Sequence, residues 1–149
     1  MAYVHIAHDC QVGNQVILAN SVQLAGHVHI GDWVILGGIS GIHQFVHIGA
    51  HAMTGAGTTV IQDIPPFVMA TGNPAAPHGI NSEGLKRRGF SKEMINVLRN
   101  AYKTIYKSGL TLDEAKLKLT EMAIQNSETA PHVQMLLDFL SSATRGIVR

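Results

Sequence analysis

Between residues 6 and 60 an apolar residue returns at every sixth position. The series runs Ile6, Val12, Leu18, Leu24, Ile30, Leu36, Ile42, Ile48, Thr54, Val60, and Thr54 is its single polar member. A second series lies two places earlier. It begins Val4, Cys10, Val16, Val22, Val28, Val34, then admits Ser40, Ala52 and Thr58. The residue after each aliphatic is usually Gly or Ala, with His43 and Ile61 as exceptions. An amphipathic helix repeats about every 3.6 residues and a half-buried strand every second residue, so neither produces a hexad. The hexad predicts a parallel β-helix, in which each repeat is a short strand and a bend. The aliphatic points inward, and the small residue after it is expected to make the corner. Three hexads would close a triangular coil, stacking residues about 18 apart at roughly 4.8 Å.

The pattern resembles hexapeptide-repeat proteins, whose coil is a left-handed parallel β-helix and an exception to right-handed crossovers. Residues 1–72 are expected to form it with a terminating loop, because Pro65 and Pro66 cannot donate to a ladder and "TGNP" reads as a turn. Residues 73–90 are expected to connect, ending in the polar and basic "NSEGLKRRGF". From 91 to 149 the period becomes helical. Ser91 can cap a helix that puts Met94, Ile95, Leu98, Tyr102, Ile105 and Tyr106 on one face and ends at Gly109. "TLDE" is a capping box for a second helix, with Leu112, Ala115, Leu119, Met122 and Ala123 inside. Pro131 opens a third, with Val133, Leu136, Leu137, Leu140 and Ala143 inward, ending near Gly146. The expected fold is therefore an all-β left-handed parallel β-helix followed by a C-terminal α-helical domain.

Composition sharpens the division. Residues 1–60 contain Asp9 and Asp32 but no Lys, Arg or Glu, so all 11 basic residues follow, against eight acids. Seven of the nine histidines fall at or before residue 51. A mean hydropathy of +0.14 fits a core-forming chain, and no apolar run is long enough to predict a membrane span. The lone Cys10 excludes an internal disulfide framework and fits a reducing, cytoplasmic setting, and no leader is expected in the first ten residues. The basic residues lack interleaved aromatics, so nucleic acid is not expected as a partner.

The coil length groups the histidines. His8, His27 and His43 are 19 and 16 residues apart and are expected near one place on the prism, one per coil. His29 and His47 form a second column, while His5 and His51 join neither. The first three are off the inward series, so they point outward or sit at a corner. Three readings stand: a surface ladder, a metal site between subunits, or a general base. His43, His47 and His51 are spaced by four along extended chain and do not converge, so no metal site is expected, nor any cofactor. Asp9 follows His8, but strand alternation would send their side chains to opposite faces, leaving a backbone carbonyl to orient the ring.

"HIAHDC", "LAGHVHIGD", "GIHQF", "IGAHAMTG", "GNPA", "NSEGLKRRGF" and "SATRGIVR" together resemble the UDP-N-acetylglucosamine O-acyltransferase family of lipid A biosynthesis. The resemblance implies transfer of a 3-hydroxyacyl chain from acyl carrier protein to the 3-hydroxyl of UDP-N-acetylglucosamine by a homotrimer. It makes His8 the general base and the Gly26 N–H the oxyanion donor. It places His27 and His43 along the site. Gln44, Asn81, Glu83, Arg87 and Arg88 become contacts to nucleotide or donor, and Ala56 the floor of the acyl groove that sets chain length. Family members carry further coils before "HIAHD", so the chain is expected to be the C-terminal half of such an enzyme. The alternative is a non-catalytic trimeric β-helix scaffold or an inactive fragment.

Overall fold

The computed structural model describes residues 1–143 and 145–149; Thr144, in the closing "SATRGIVR", lies outside them. The chain divides into two compact units, residues 1–81 with 143–149, and residues 82–142.

The first unit is a parallel β-helix. Among the described residues its coils hold ten two-residue strands: β1 (His5–Ile6), β2 (Gln11–Val12), β3 (Ile17–Leu18), β4 (Gln23–Leu24), β5 (His29–Ile30), β6 (Ile35–Leu36), β7 (Gly41–Ile42), β8 (His47–Ile48), β9 (Met53–Thr54) and β10 (Thr59–Val60). They stack into three faces, β1-β4-β7-β10, β2-β5-β8 and β3-β6-β9. The register holds the 18-residue step throughout, as in Ile6 to Leu24, Leu24 to Ile42 and Ile42 to Val60. Both apolar series point inward, and Val22, Leu24, Val28, Val34 and Leu36 are fully buried. In the first coil Ile6 and Val12 stay exposed. Where the series turns polar, the hydroxyls find partners: Ser40 Oγ donates to the Gly55 carbonyl at 3.2 Å, and Thr58 Oγ1 to the same carbonyl at 2.7 Å. Buried polar atoms need such bonds.

The corners differ from the sequence expectation. The left-handed residue is not the small one after each aliphatic but the residue two places further on. Tyr3, Asp9, Gln15, Ser21, His27, Trp33, Ile39, Phe45 and His51 all have φ between 57° and 65°. A side chain in that region costs roughly 1–2 kcal/mol per residue. Ladder bonds offset the cost, since each corner N–H from Ser21 onward donates to a carbonyl one coil earlier, as His27 does to His8 at 3.0 Å. Rings also stack down two corners, through His27 and Phe45 and through Trp33, His51 and Phe67. The small residues serve a different need, close approach between coils. A Cβ on Gly31 would stand 2.6 Å from the Ala50 nitrogen.

β-structure continues past the prolines. β11 (Val68–Gly72) pairs in parallel with β9, and β12 (Ala75–Ile80) returns antiparallel to it. The closing residues also return to this unit: Asp63 N–H donates to Gly146 and Val148 N–H donates to Asp63. So residues 75–80, expected as connection, are strand, and residues 143–149, expected with the helices, belong with the coil.

The second unit holds α1 (Ser82–Arg87), α2 (Lys92–Tyr106), α3 (Leu112–Gln125) and α4 (Ala130–Ser142). α1 falls within the polar stretch read as a connection. Its single buried side chain, Leu85, gives too little apolar pattern to announce a helix. Ser91 caps α2, accepting from the Met94 N–H at 3.1 Å. Thr111 and Glu114 make the expected capping box of α3. Ile95, Leu98, Tyr102, Ile105, Ala115, Leu119, Val133, Leu136, Leu137 and Leu140 are buried as the periodicity requires. α4 ends at Ser142, short of Gly146. Among the described residues no helix is long and apolar enough to cross a membrane.

Candidate active site

The site is built on one corner of the coil. Strict 18-residue steps place His8 over Gly26 and Gln44, and Asp9 over His27 and Phe45. Gly26 has no side chain, and the His8 ring occupies the space. A Cβ there would meet His8 Cε1 at 2.7 Å and Nε2 at 2.8 Å. The Gly26 carbonyl accepts from Phe45 N–H at 3.1 Å, whereas its own N–H meets no acceptor among the described residues. At the next corner the matching N–H, that of Asn14, is taken by Asp32 Oδ1 at 2.7 Å.

Asp9 is the partner that strand alternation had set aside. Its Oδ2 lies 2.9 Å from His8 Nδ1. Alternation applies within extended chain, and Asp9, at φ 59°, is a corner residue whose side chain swings beside its neighbour's. A carboxylate only accepts, so Nδ1 carries the proton and Nε2 keeps its lone pair available, on the side of the ring that meets the Gly26 position. The hydrogen bond from His8, then the nearby His27, hold the Asp9 carboxyl below the usual carboxylate range. His27 Nε2 stands 3.8 Å from the same oxygen. Its ring meets His8 edge-on, with centroids 5.1 Å apart, and stacks on Phe45 at 4.6 Å. His8 and Asp9 are exposed and His27 is half-buried, so the cluster is open to solutes.

The other expected site residues are distributed more widely. His43 follows Ala7 and Ala25 down the edge of the β1-β4-β7-β10 face, two coils from His8, with its Nδ1 3.0 Å from the Gln44 carbonyl. Gln44 is exposed beneath Gly26. Ala56 is exposed on a different corner, in the column of Asn20 and Gly38. Asn81 is buried, and its Nδ2 donates to the His51 carbonyl at 3.3 Å. Glu83, Arg87 and Arg88 lie in the helical unit, on or just after α1. Glu83 pairs with Lys86 at 3.1 Å, Arg87 is exposed, and burial lowers the Arg88 pKa. In the same unit Lys86, Lys92 and Arg99 rim a groove floored by Phe90 and Ile95.

The second histidine column forms as expected, with His29 and His47 stacked at 4.4 Å. His51 instead joins Trp33 and Phe67. The sequence reading missed Asp9 and Phe45. A strict 18-residue register places His27 and Phe45 in the column of Asp9, whereas the pairing of Asp9 with His8 follows from the positive φ at Asp9.

A coil whose strands recur every six residues and stack every 18 defines a hexapeptide-repeat β-helix protein, and one exposed corner of it stations an imidazole, a carboxylate and a backbone N–H. Residues 63–148 match the second domain of the family described as UDP-N-acetylglucosamine O-acyltransferase. An acyl-[acyl-carrier-protein]–UDP-N-acetylglucosamine O-acyltransferase from Burkholderia orbicola is 57% identical over all 149 residues, which cover 57% of that protein. The crystal structure of the UDP-N-acetylglucosamine O-acyltransferase from Moraxella catarrhalis aligns with a TM-score of 0.93 at 46% identity, over 98% of this chain and 55% of that one. The Acinetobacter baumannii structure aligns at 0.90 and 51%, over 98% and 55%. The chain belongs to the UDP-N-acetylglucosamine O-acyltransferase family. It spans a little over half the length of the curated relatives it matches.

Proposed function

We propose that the chain transfers a 3-hydroxyacyl group from acyl carrier protein to the 3-hydroxyl of UDP-N-acetylglucosamine. The observation that carries this reading is His8, oriented by Asp9 and seated in the space that Gly26 leaves by lacking a Cβ. His8 Nε2 takes the proton of the sugar hydroxyl as its oxygen attacks the thioester carbonyl. The Gly26 N–H holds the charge that develops on the carbonyl oxygen. The C–S bond breaks as the ester forms, and His8 returns the proton to the departing thiolate. No cofactor is needed.

His27, His43 and Gln44 line the same corner and its edge, where they contact the substrates. Arg87 and Arg88 suit phosphate groups, because guanidinium can bond two oxygens at once. Glu83 and Asn81 serve the nucleotide, and Asn81 also ties the His51 carbonyl. The groove rimmed by Lys86, Lys92 and Arg99 matches an acidic carrier protein in charge. His8 and Ala56 stand on different corners of one chain, so a cleft containing both requires a second copy. That supports a homotrimer with sites between subunits, in which Ala56 limits acyl length. The free Cys10 fits a reducing, cytoplasmic setting.

The test is turnover of hydroxyacyl carrier protein with UDP-N-acetylglucosamine, parent chain against His8→Ala. The expected loss is about 10²–10⁴-fold, the usual contribution of a positioned base. Equal rates would remove His8 from the role, and a parent chain without turnover would leave the scaffold reading.

A further inference from the structure

The corner that holds His8 also brings together three groups of metal-binding type. One ring nitrogen of His8, one Asp9 carboxylate oxygen and one ring nitrogen of His27 lie within 4.8 Å of one another. Asp9 Oδ2 is central, 2.9 Å from His8 Nδ1 and 3.8 Å from His27 Nε2. Zinc binds imidazole nitrogen and carboxylate oxygen at about 2.0–2.2 Å, which sets tetrahedral ligands roughly 3.3 Å apart. The present spacings bracket that value, and these solvent-accessible side chains can close on an ion by small rotations. The backbone beneath them is fixed. Asp9 and His27 occupy equivalent left-handed corners at φ 59° and 60°, and the His27 N–H is tied to the His8 carbonyl at 3.0 Å. Phe45 stacks within 9° of the His27 ring plane, which limits the ring's rotation.

We propose that His8, Asp9 and His27 form a three-ligand site for a zinc-class divalent cation, with the remaining position open to solvent. Two imidazoles and one carboxylate suit zinc and the later first-row metals rather than magnesium or calcium. The sequence offers a metal site among His8, His27 and His43 as one of three readings and expects none on the spacing of His43, His47 and His51; the structure gathers Asp9 with His8 and His27 instead. A cation on His8 Nδ1 replaces the proton held there beside Asp9 and leaves the neutral ring's proton on Nε2, so bound zinc and proton acceptance by Nε2 exclude each other. That consequence rests on the function proposed above, whereas the binding does not.

The site is tested by calorimetric titration of the 149-residue chain with Zn²⁺, and with Co²⁺ followed by its visible ligand-field bands. The expected result is one cation per chain with a tetrahedral Co²⁺ spectrum. Asp9→Asn and His27→Gln should each weaken binding about tenfold or more. His29→Gln, in the other histidine column, should leave it unchanged. Three results would overturn the site: no binding, binding that survives both Asp9→Asn and His27→Gln, or binding that disappears with His29→Gln. None of these readouts depends on turnover, so failure of the metal site and failure of the acyltransferase reading are separable.

Discussion

Gly26 and His8 occupy one column of the coil, and the missing Cβ of the first is the seat of the second's ring. An added methyl would stand 2.7 Å from His8 Cε1. Gly26→Ala should therefore leave the coil folded and push His8 off its position. A misplacement of about 1 Å costs roughly 10²-fold in rate, and that is the loss expected in kcat/KM. Steady-state kinetics with a matched circular dichroism spectrum checks it. Unchanged kcat/KM would show that the ring has room elsewhere.

Asp9→Asn keeps the shape of the side chain and removes its charge. The amide can donate as well as accept, so it no longer selects the His8 tautomer with the proton on Nδ1. The expected effect is a fall in kcat of about 10²-fold or more, as when a triad carboxylate that orients a histidine is lost. KM should change little, since Asp9 acts through His8. A shift confined to KM would place Asp9 on the substrate instead.

Asp63 is buried where the closing segment rejoins the coil, and it gives the first unit a pH signature. Burial raises its pKa above 3.8, against the opposing pull of the His47 N–H bond and the charges of His47 and Arg145. The folded chain then holds a proton that the unfolded chain has lost. Stability falls as pH rises through that window. Asp63→Asn should remove this dependence and gain on the parent as pH rises above the ordinary carboxylate range. Thermal unfolding at stepped pH measures the difference, and a constant offset would contradict the assignment.

His29 acts in the opposite direction. Burial first, then the charges of His47 and His27, lower its pKa below 6.5. The unfolded chain therefore binds a proton that the folded chain refuses, and stability is lost as pH falls below that value. His29→Gln should flatten part of this acid-side loss in the same unfolding series. Parallel curves for parent and variant would rule His29 out as a source.

The coil was legible because its core is periodic. Val22, Leu24 and Val28 are apolar, in register and buried, so position in the repeat is enough to place them. The helices from Ser91 onward were legible from caps and faces. α1 was not, because a six-residue helix burying only Leu85 has too short a pattern. The return of residues 145–149 to Asp63 was not legible either, since it rests on backbone bonds that leave little mark on side-chain choice. In the site, His8 and Gly26 followed from motif, while Asp9 was set aside by a rule for extended strands. The rule fails where φ turns positive, and sequence rarely announces that when the residue is Asp or His rather than Gly.

The corner ladder makes this site a matter of counting. His8 finds Gly26, and Asp9 finds His27, because each partner lies 18 positions further along the chain. Most substitutions between them leave the count intact. One residue inserted or deleted between Asp9 and Gly26 would slide every later column by one place, bringing Ala25 or His27 under His8. The coil accordingly tolerates changes of identity far better than changes of length, and the lengths it can accept are whole turns.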